Sequence, residues 1–297
     1  MSLILPINLR TIVHILIAVK NKDGYPHAHL LRRAASPLPG TNMYDLSAKT
    51  VLVTGASKGI GAAIASHIGS AGAHVIAQYG SDRNGAQAAV SDIDASRVRL
   101  VQCDMSSLPE VEALWDQAVG WRGRVDVLIN NAAMMRFDGG VAEPLERWDQ
   151  VWEQTLAVNL LAPARLLRRA VRHYLEHGGG IIVTISSWAA QKGVSNPDAI
   201  AYGSSKAAIH NATQTIARAY AADGILAYLV APGVVRTRLS DQAAKSVGGE
   251  AAVTAGLAMK EWVPPEDIAR IAVFLASGAA RHLTGATLDV NGASYIR

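Results

Sequence analysis

The chain predicts an α/β fold: a single doubly wound parallel sheet of about seven strands with helices on both faces. Three observations predict it. Short runs rich in Val, Ile and Leu recur between residues 51 and 290, as strands buried on both faces do. Stretches with apolar residues at helical spacing separate them, and strict alternation of strand and helix implies parallel strands joined by right-handed crossovers. Between the first strand run and the first helical run lies Thr54-Gly55-Ala56-Ser57-Lys58-Gly59-Ile60-Gly61. A glycine-rich turn from strand to helix is the opening device of doubly wound folds that hold a pyrophosphate.

The elements follow in order. Strand runs are predicted at 50–53, 74–78, 98–102, 125–129, 181–185, 226–230 and 287–290. The first helix covers 59–70 and the next long one 108–119. A long helix begins near Trp148 and reaches Leu161; Pro163 predicts a kink or restart before it continues to Glu176. Gly178, Gly179 and Gly180 break it ahead of the fifth strand. Tyr202 and Lys206 fall on the following helix, which ends near Ala222.

Tyr202-Gly203-Ser204-Ser205-Lys206 carries the chemistry. A spacing of four puts the phenol and the amine on one helical face, a turn apart. A phenol titrates near 10 in water, and a neighbouring ammonium favours the phenolate. The pair is therefore expected to exchange a proton at a carbonyl or alcohol oxygen. Two strand ends join it: Asn130-Asn131-Ala132-Ala133 after the fourth strand, and Ser186-Ser187 after the fifth. Ligands of open parallel sheets sit at such ends.

Composition excludes several classes. A net charge of +4, with no basic low-complexity run, gives no argument for nucleic acid. The one cysteine, Cys103, excludes an intrachain disulfide and a cysteine-cluster metal site, and fits a cytoplasmic compartment. Residues 1–45 stand apart from the domain expected at 46–297. The stretch 3–19 is apolar but interrupted by Asn8, Arg10, Thr11 and His14, too short and too polar for a stable membrane span. Its acid-poor, basic character leaves organelle targeting open. Without a clean small-residue cleavage site it reads as an extension outside the fold. His27 and His29 read as an exposed pair, and no metal site is expected.

These motifs, with the asparagine of Val158-Asn159-Leu160 and the run Ala231-Pro232-Gly233-Val234-Val235-Arg236-Thr237, resemble the classical short-chain dehydrogenase/reductase family, a Rossmann-type fold, and its 3-oxoacyl-[acyl-carrier-protein] reductase-like members in general pattern. The resemblance runs from about Leu46 to the C-terminus. It implies hydride transfer between a nicotinamide and a carbonyl or secondary alcohol. Tyr202 would be the proton donor, Ser187 a donor to the same oxygen, Lys206 a partner of Tyr202 and of the nicotinamide ribose, and Asn159 the holder of a water in a proton relay. Ser187 is chosen over Ser186 because the family's serine is usually the second of the pair. The interval from Ser187 to Tyr202 is longer than the common pattern, and Ser195-Asn196-Pro197-Asp198 is expected to bulge outward.

For the coenzyme, the resemblance assigns Gly55, Ser57, Lys58, Gly59, Ile60 and Gly61 to the pyrophosphate turn. Asp104 and Met105 fall beside the adenine, and Asn130, Asn131, Ala132 and Ala133 along the adenosine wall. Pro232, Gly233, Val235 and Thr237 form the nicotinamide-side loop. An acid at the end of the second strand would hold a ribose 2′-hydroxyl and repel a 2′-phosphate. Tyr79 stands there, and Lys58, Ser81 and Arg83 are close in sequence, so NADP is expected ahead of NAD.

The stretch 238–262 is expected to be the substrate lid, with Leu239, Val247, Leu257, Met259 and Trp262 as apolar groups and Met134, Met135 and Trp188 as further walls. Arg165, Arg168, Arg169 and Arg172 crowd one helix side, either as a docking patch for an acyl carrier protein or, preferred here, as a solvated face or a salt-bridged subunit interface. NNAA replaces the family's commoner NNAG. The end Asp289-Val290-Asn291-Gly292-Ala293 departs from its usual acidic-glycine ending at a subunit contact, where a homodimer or homotetramer is expected. Within this reading 3-oxoacyl thioesters compete with sugar, polyol or steroid-like alcohols as substrates. A non-catalytic NADP-binding sensor is the rival outside it.

Overall fold

The computed structural model describes residues 44–296. The predicted extension, apart from residues 44 and 45, lies outside the described residues, as do His27 and His29. The sheet has seven parallel strands in the order β3-β2-β1-β4-β5-β6-β7. They are β1 (Thr50–Val53), β2 (His74–Tyr79), β3 (Val98–Gln102), β4 (Val127–Asn130), β5 (Gly180–Ile185), β6 (Ile225–Pro232) and β7 (Thr287–Val290). The order reverses between β1 and β4, which opens a crevice at their carboxyl ends.

Side-chain alternation divides the core. Val51, Val53, Val75, Val127, Ile129 and Val183 pack on one face with α1 (Gly59–Ser70) and, late in the chain, with α10 (Pro265–Ser277). Leu52, Ile76, Leu128 and Ile182 pack on the other. There they meet α3 (Leu108–Arg122), α5 (Ala162–Glu176) and α7 (Ile200–Tyr220). Trp115 and Tyr174, both buried, fill that layer. A short α2 (Arg83–Ala89) follows β2, and the Asp82 carboxylate caps it by accepting from the Gly85 N–H at 2.8 Å.

The long helix predicted to begin near Trp148 starts earlier, as α4 (Leu145–Leu156), because Pro144 supplies its N-cap backbone. It does not break at Pro163. It passes through a π segment, Ala157–Leu161, into α5. Pro163 has no N–H to give the Asn159 carbonyl four residues back, so the α-helical register cannot hold there, while a proline in the first turn of α5 is harmless.

The segment 195–198 does not bulge outward. The Asn196 side chain accepts from the Asp198 N–H at 2.9 Å and starts a 3₁₀ turn, Pro197–Ala199. The Asp198 carbonyl accepts from the Gly139 N–H, and Asn196 Nδ2 donates to Ser246 Oγ at 3.1 Å. The excess residues thus pack against the stretch 238–262 through Ser246. Before them lies the short α6 (Ala189–Lys192); the stretch expected to be the lid contains α8 (Arg238–Lys245) and α9 (Gly249–Gly256). Among the described residues no helix is long and apolar enough to cross a membrane.

Candidate active site

The glycine turn is held from two sides by side-chain amides, Gln78 buried and Asn131 half-buried. Gln78 Oε1 accepts from the Gly55 N–H at 2.7 Å, while its Nε2 donates to the Cys103 carbonyl at 2.8 Å. Asn131 Nδ2 donates to the carbonyls of Thr54 and Gly55. Thr54 Oγ1 accepts from the N–H groups of Asn131 and Ala132. Gly55 and Gly59 have φ of +67° and +55°, where a side chain is strained. A Cβ on Gly61 would lie 2.1 Å from the Gly55 carbonyl oxygen. Behind the turn α1 begins at a Lys58 N-cap with no side-chain bond and no acid in its first turn. That start combines open N–H groups and partial positive charge, which fits a pyrophosphate. Asn130, at the end of β4, is buried with neither amide atom bonded to protein, as suits a wall that still owes a partner to something in the crevice.

The remaining coenzyme-side residues gather at the same edge. Thr237 lies on the turn: a Cβ on Gly59 would meet its Cγ2 at 3.0 Å. Its hydroxyl caps α8 through the Ser240 N–H. A Cβ on Gly85 would come within 2.5 Å of the Ser57 carbonyl, so the start of α2 lies against the turn. Lys58, Ser81 and Arg83 are exposed around that junction, whereas Tyr79 and Met105 are buried. Asp104 accepts from the Ser106 N–H and hydroxyl, which hold its carboxyl below the ordinary value. The Asn131 side chain serves the turn itself, so any contact it offers an adenosine comes from its backbone.

Tyr202 and Lys206 stand a turn apart on α7, with Lys206 Nζ 5.9 Å from the Tyr202 ring centroid. Nζ donates to the Ile185 carbonyl at 2.8 Å, at the end of β5. Ser187 lies against the phenol, and its Oγ also accepts from the Ala189 N–H. Ser186 is turned away, to His210 Nδ1 at 3.0 Å. Asn159 Oδ1 accepts from the Met134 N–H; its Nδ2 donates to the Met134 carbonyl and to Ser205 Oγ. Ser205 in turn donates to the Tyr202 carbonyl. The Asn159 amide is therefore engaged in positioning Met134 and Ser205.

Burial comes first in the electrostatics of the phenol. Burial raises the pKa of the phenol, and the Ser187 hydroxyl beside it opposes that only in part. Burial pushes Lys206 down to about 8. Helical spacing brings the two groups together, but the amine is aimed at a carbonyl. The arrangement keeps a neutral phenol, which is the form that donates a proton.

A cavity of about 200 Å³ opens beside Ser187 and Tyr202, walled by Met135, Phe137, Trp188 and, from the lid, Leu239 and Val247. Four predicted wall residues are not part of it. Met134 is held by Asn159, Leu257 and Met259 lie beyond α9, and Trp262 is buried with its Nε1 donating to Thr254. A larger hollow of about 550 Å³ lies on the α3–α5 surface, away from these groups, and includes Arg168, Arg169 and Arg172. Arg165 and Arg169 both bind Glu112, and Arg169 also binds Asp116, so half of the arginine row is consumed within the chain. Thr54, Gln78 and Ser205 were not singled out from sequence. The amide of Gln78 inside the apolar run of β2 was the one visible signal.

Fold and site together define a dinucleotide-binding oxidoreductase. The family model described as enoyl-(acyl carrier protein) reductase matches residues 55–293, and the chain belongs to the short-chain dehydrogenase/reductase family. It is an NAD(P)-dependent enzyme of the class acting on alcohol and carbonyl groups. It is 37% identical over 255 residues to 3beta-hydroxysteroid dehydrogenase 1 of Eggerthella lenta, covering 84% of this chain and 95% of the relative. Glucose 1-dehydrogenase 2 of Bacillus subtilis is 33% identical, over 84% of this chain and 95% of its own length. A crystal structure from Beutenbergia cavernae, provisionally described as an NAD(P)-dependent gluconate 5-dehydrogenase with NADP bound at low occupancy, superposes with a TM-score of 0.76 at 34% identity, over 84% of this chain and 98% of that one.

Proposed function

We propose that the chain is an NADP-dependent carbonyl reductase or alcohol dehydrogenase, with Tyr202, Ser187, Lys206 and Asn159 as its working set. The observation that carries this reading is that Ser187 and Tyr202 wall one cavity at the same sheet edge as the glycine turn, with Lys206 a helical turn from Tyr202. When bound, the nicotinamide supplies or accepts a hydride at the substrate carbon. In reduction, Tyr202 donates its proton to the carbonyl oxygen. Ser187 donates a hydrogen bond to that oxygen as negative charge builds on it. Lys206 holds positive charge near the phenol and offers its remaining N–H groups to the nicotinamide ribose. The Asn159 carbonyl holds a water through which the spent phenolate regains a proton.

Preference for NADP rests on charge. Lys58 and Arg83, with the Ser81 hydroxyl, are exposed where α1 and α2 meet, and the nearest acid, Asp82, is engaged as a helix cap. The Beutenbergia cavernae neighbour holds NADP, in agreement with this. The reaction is common to the 3-oxoacyl thioester reading and to the steroid or sugar alcohol reading, and the relatives' names do not choose between them. The test is absorbance of NADPH, then of NADH, in the presence of a ketone panel. Consumption of NADPH with a matching yield of alcohol is expected. Coenzyme binding without turnover of any ketone would favour the sensor reading instead.

A further inference from the structure

We infer that the cavity selects an uncharged, largely apolar ketone or secondary alcohol, and selects against sugar acids, polyols and other charged or heavily hydroxylated substrates. This rests on the reaction proposed above and goes beyond it to the substrate class.

The first observation is the lining. Among the described residues it contains no Asp, Glu, Lys, Arg or His. Met135, Phe137, Trp188, Leu239, Val247 and Val253 supply most of its bulk. Helix α8 shows how the sequence arranges this. Leu239, Ser240, Ala243 and Ala244, with Val247 just past the helix end, recur at spacings of three and four and line the cavity, while Arg238, Asp241, Gln242 and Lys245 are exposed.

The second is what the neighbouring charges do. The Arg136 guanidinium, beside two wall residues, is closed on Asp138 through Nε and Nη2 and on Gln154 through Nη1. Lys192 stacks over the Tyr295 ring, 4.1 Å from its centroid. A carboxylate entering the cavity would lose its water and meet no counter-charge, which is the costly way to bury an ion.

The third is a count of polar partners. Ser187 and Tyr202 face the reacting oxygen. The Asn196 amide gives one N–H to Ser246 and accepts from the Asp198 N–H, and Ser240 Oγ accepts from Thr237. Ser195, the Ser240 O–H and the second Asn196 N–H are left. These few groups lie on one side of an otherwise apolar lining, so hydroxyls of a sugar or polyol that face the other walls would be buried without partners, at the cost of their desolvation.

The test uses the full chain and three compounds of similar size: 4-methylcyclohexanone, 4-oxocyclohexanecarboxylate and the ketose erythrulose. Two readouts are taken, kcat/KM with NADPH on the unaltered chain, and calorimetric Kd on a Tyr202→Phe variant loaded with NADP. The cyclohexanone is expected to lead the other two by about 100-fold or more in both readouts. Ala243→Arg should shift the ratio toward the carboxylate by about 10-fold, since it adds the missing counter-charge. The carboxylate or ketose matching or exceeding the cyclohexanone in Kd would overturn the inference, as would an unchanged ratio in Ala243→Arg. Binding selectivity without turnover of any compound would uphold the cavity's preference while sinking the proposed reaction. Binding of none of the three would overturn the inference itself.

Discussion

Asn131 Nδ2 donates to the Thr54 carbonyl at 2.8 Å, tying the end of β4 to the end of β1 across the point where the strand order reverses. With Gln78 on the other side, it fixes the shape of the glycine turn. Asn131→Ala or Gln78→Leu leaves buried backbone groups of that turn unpaired. Each is expected to cost about 1–3 kcal/mol of stability in urea unfolding. NADPH Kd in a fluorescence titration should rise by about 10-fold, the equivalent of roughly 1.4 kcal/mol of lost preorganisation. Unchanged stability and affinity would show that the turn holds its shape without them.

Lys58 and Arg83 are exposed at the meeting of α1 and α2. Their joint replacement by Ala should weaken NADPH by about 10-fold or more and NADH by far less, because only NADPH carries the 2′-phosphate that charge-assisted bonds reward. The effect on NADPH should shrink as salt rises. Equal losses for the two coenzymes would remove the charge argument for NADP.

Ser186 and Ser187 are adjacent in sequence and point to different partners, His210 and Tyr202. Ser187→Ala should lower kcat by about 10²–10³, the usual cost of one donor to a developing oxyanion, with coenzyme affinity unchanged. Ser186→Ala should act mainly on stability, through the lost His210 bond. The reverse pattern in steady-state kinetics would exchange their roles.

Lys206 is a buried amine brought down to about 8 by loss of hydration. Its positive charge disappears as pH rises through that value. Reduction needs the ammonium and the neutral phenol together, so kcat/KM should fall on the alkaline side with a limb near 8. Lys206→Arg should move that limb upward, since a guanidinium stays charged, while lowering kcat through altered geometry. A profile with no alkaline limb in the unaltered chain would show that the lysine charge is not required.

The local parts of this site were legible in the sequence. The glycine turn is contiguous, and its role follows from strand, glycines and helix in succession. Tyr202 and Lys206 share a helical face by spacing alone. What escaped depends on contacts between distant segments. Gln78 and Asn131 act on Gly55 and Thr54 from other strands, and Asn159 spends its amide on Met134 and Ser205. The π segment needed the knowledge that a continuous helix carries Pro163 through its first turn. The wall formed by 195–198 depends on Ser246 and Gly139, neither of which can be paired to it from spacing. Spacing also gives neighbours without aim: Lys206 lies next to Tyr202 yet points at Ile185, so the phenol's titration follows its burial.

The most direct measurement is turnover and coenzyme binding in a Tyr202→Phe variant, taken side by side. Removing one hydroxyl leaves the ring, the helix and the glycine turn in place. Turnover of a ketone that the unaltered chain reduces should fall by about 10³-fold or more, with NADPH Kd within about 3-fold of its original value. Retention of activity within a few-fold would contradict the proton donor at the centre of this account.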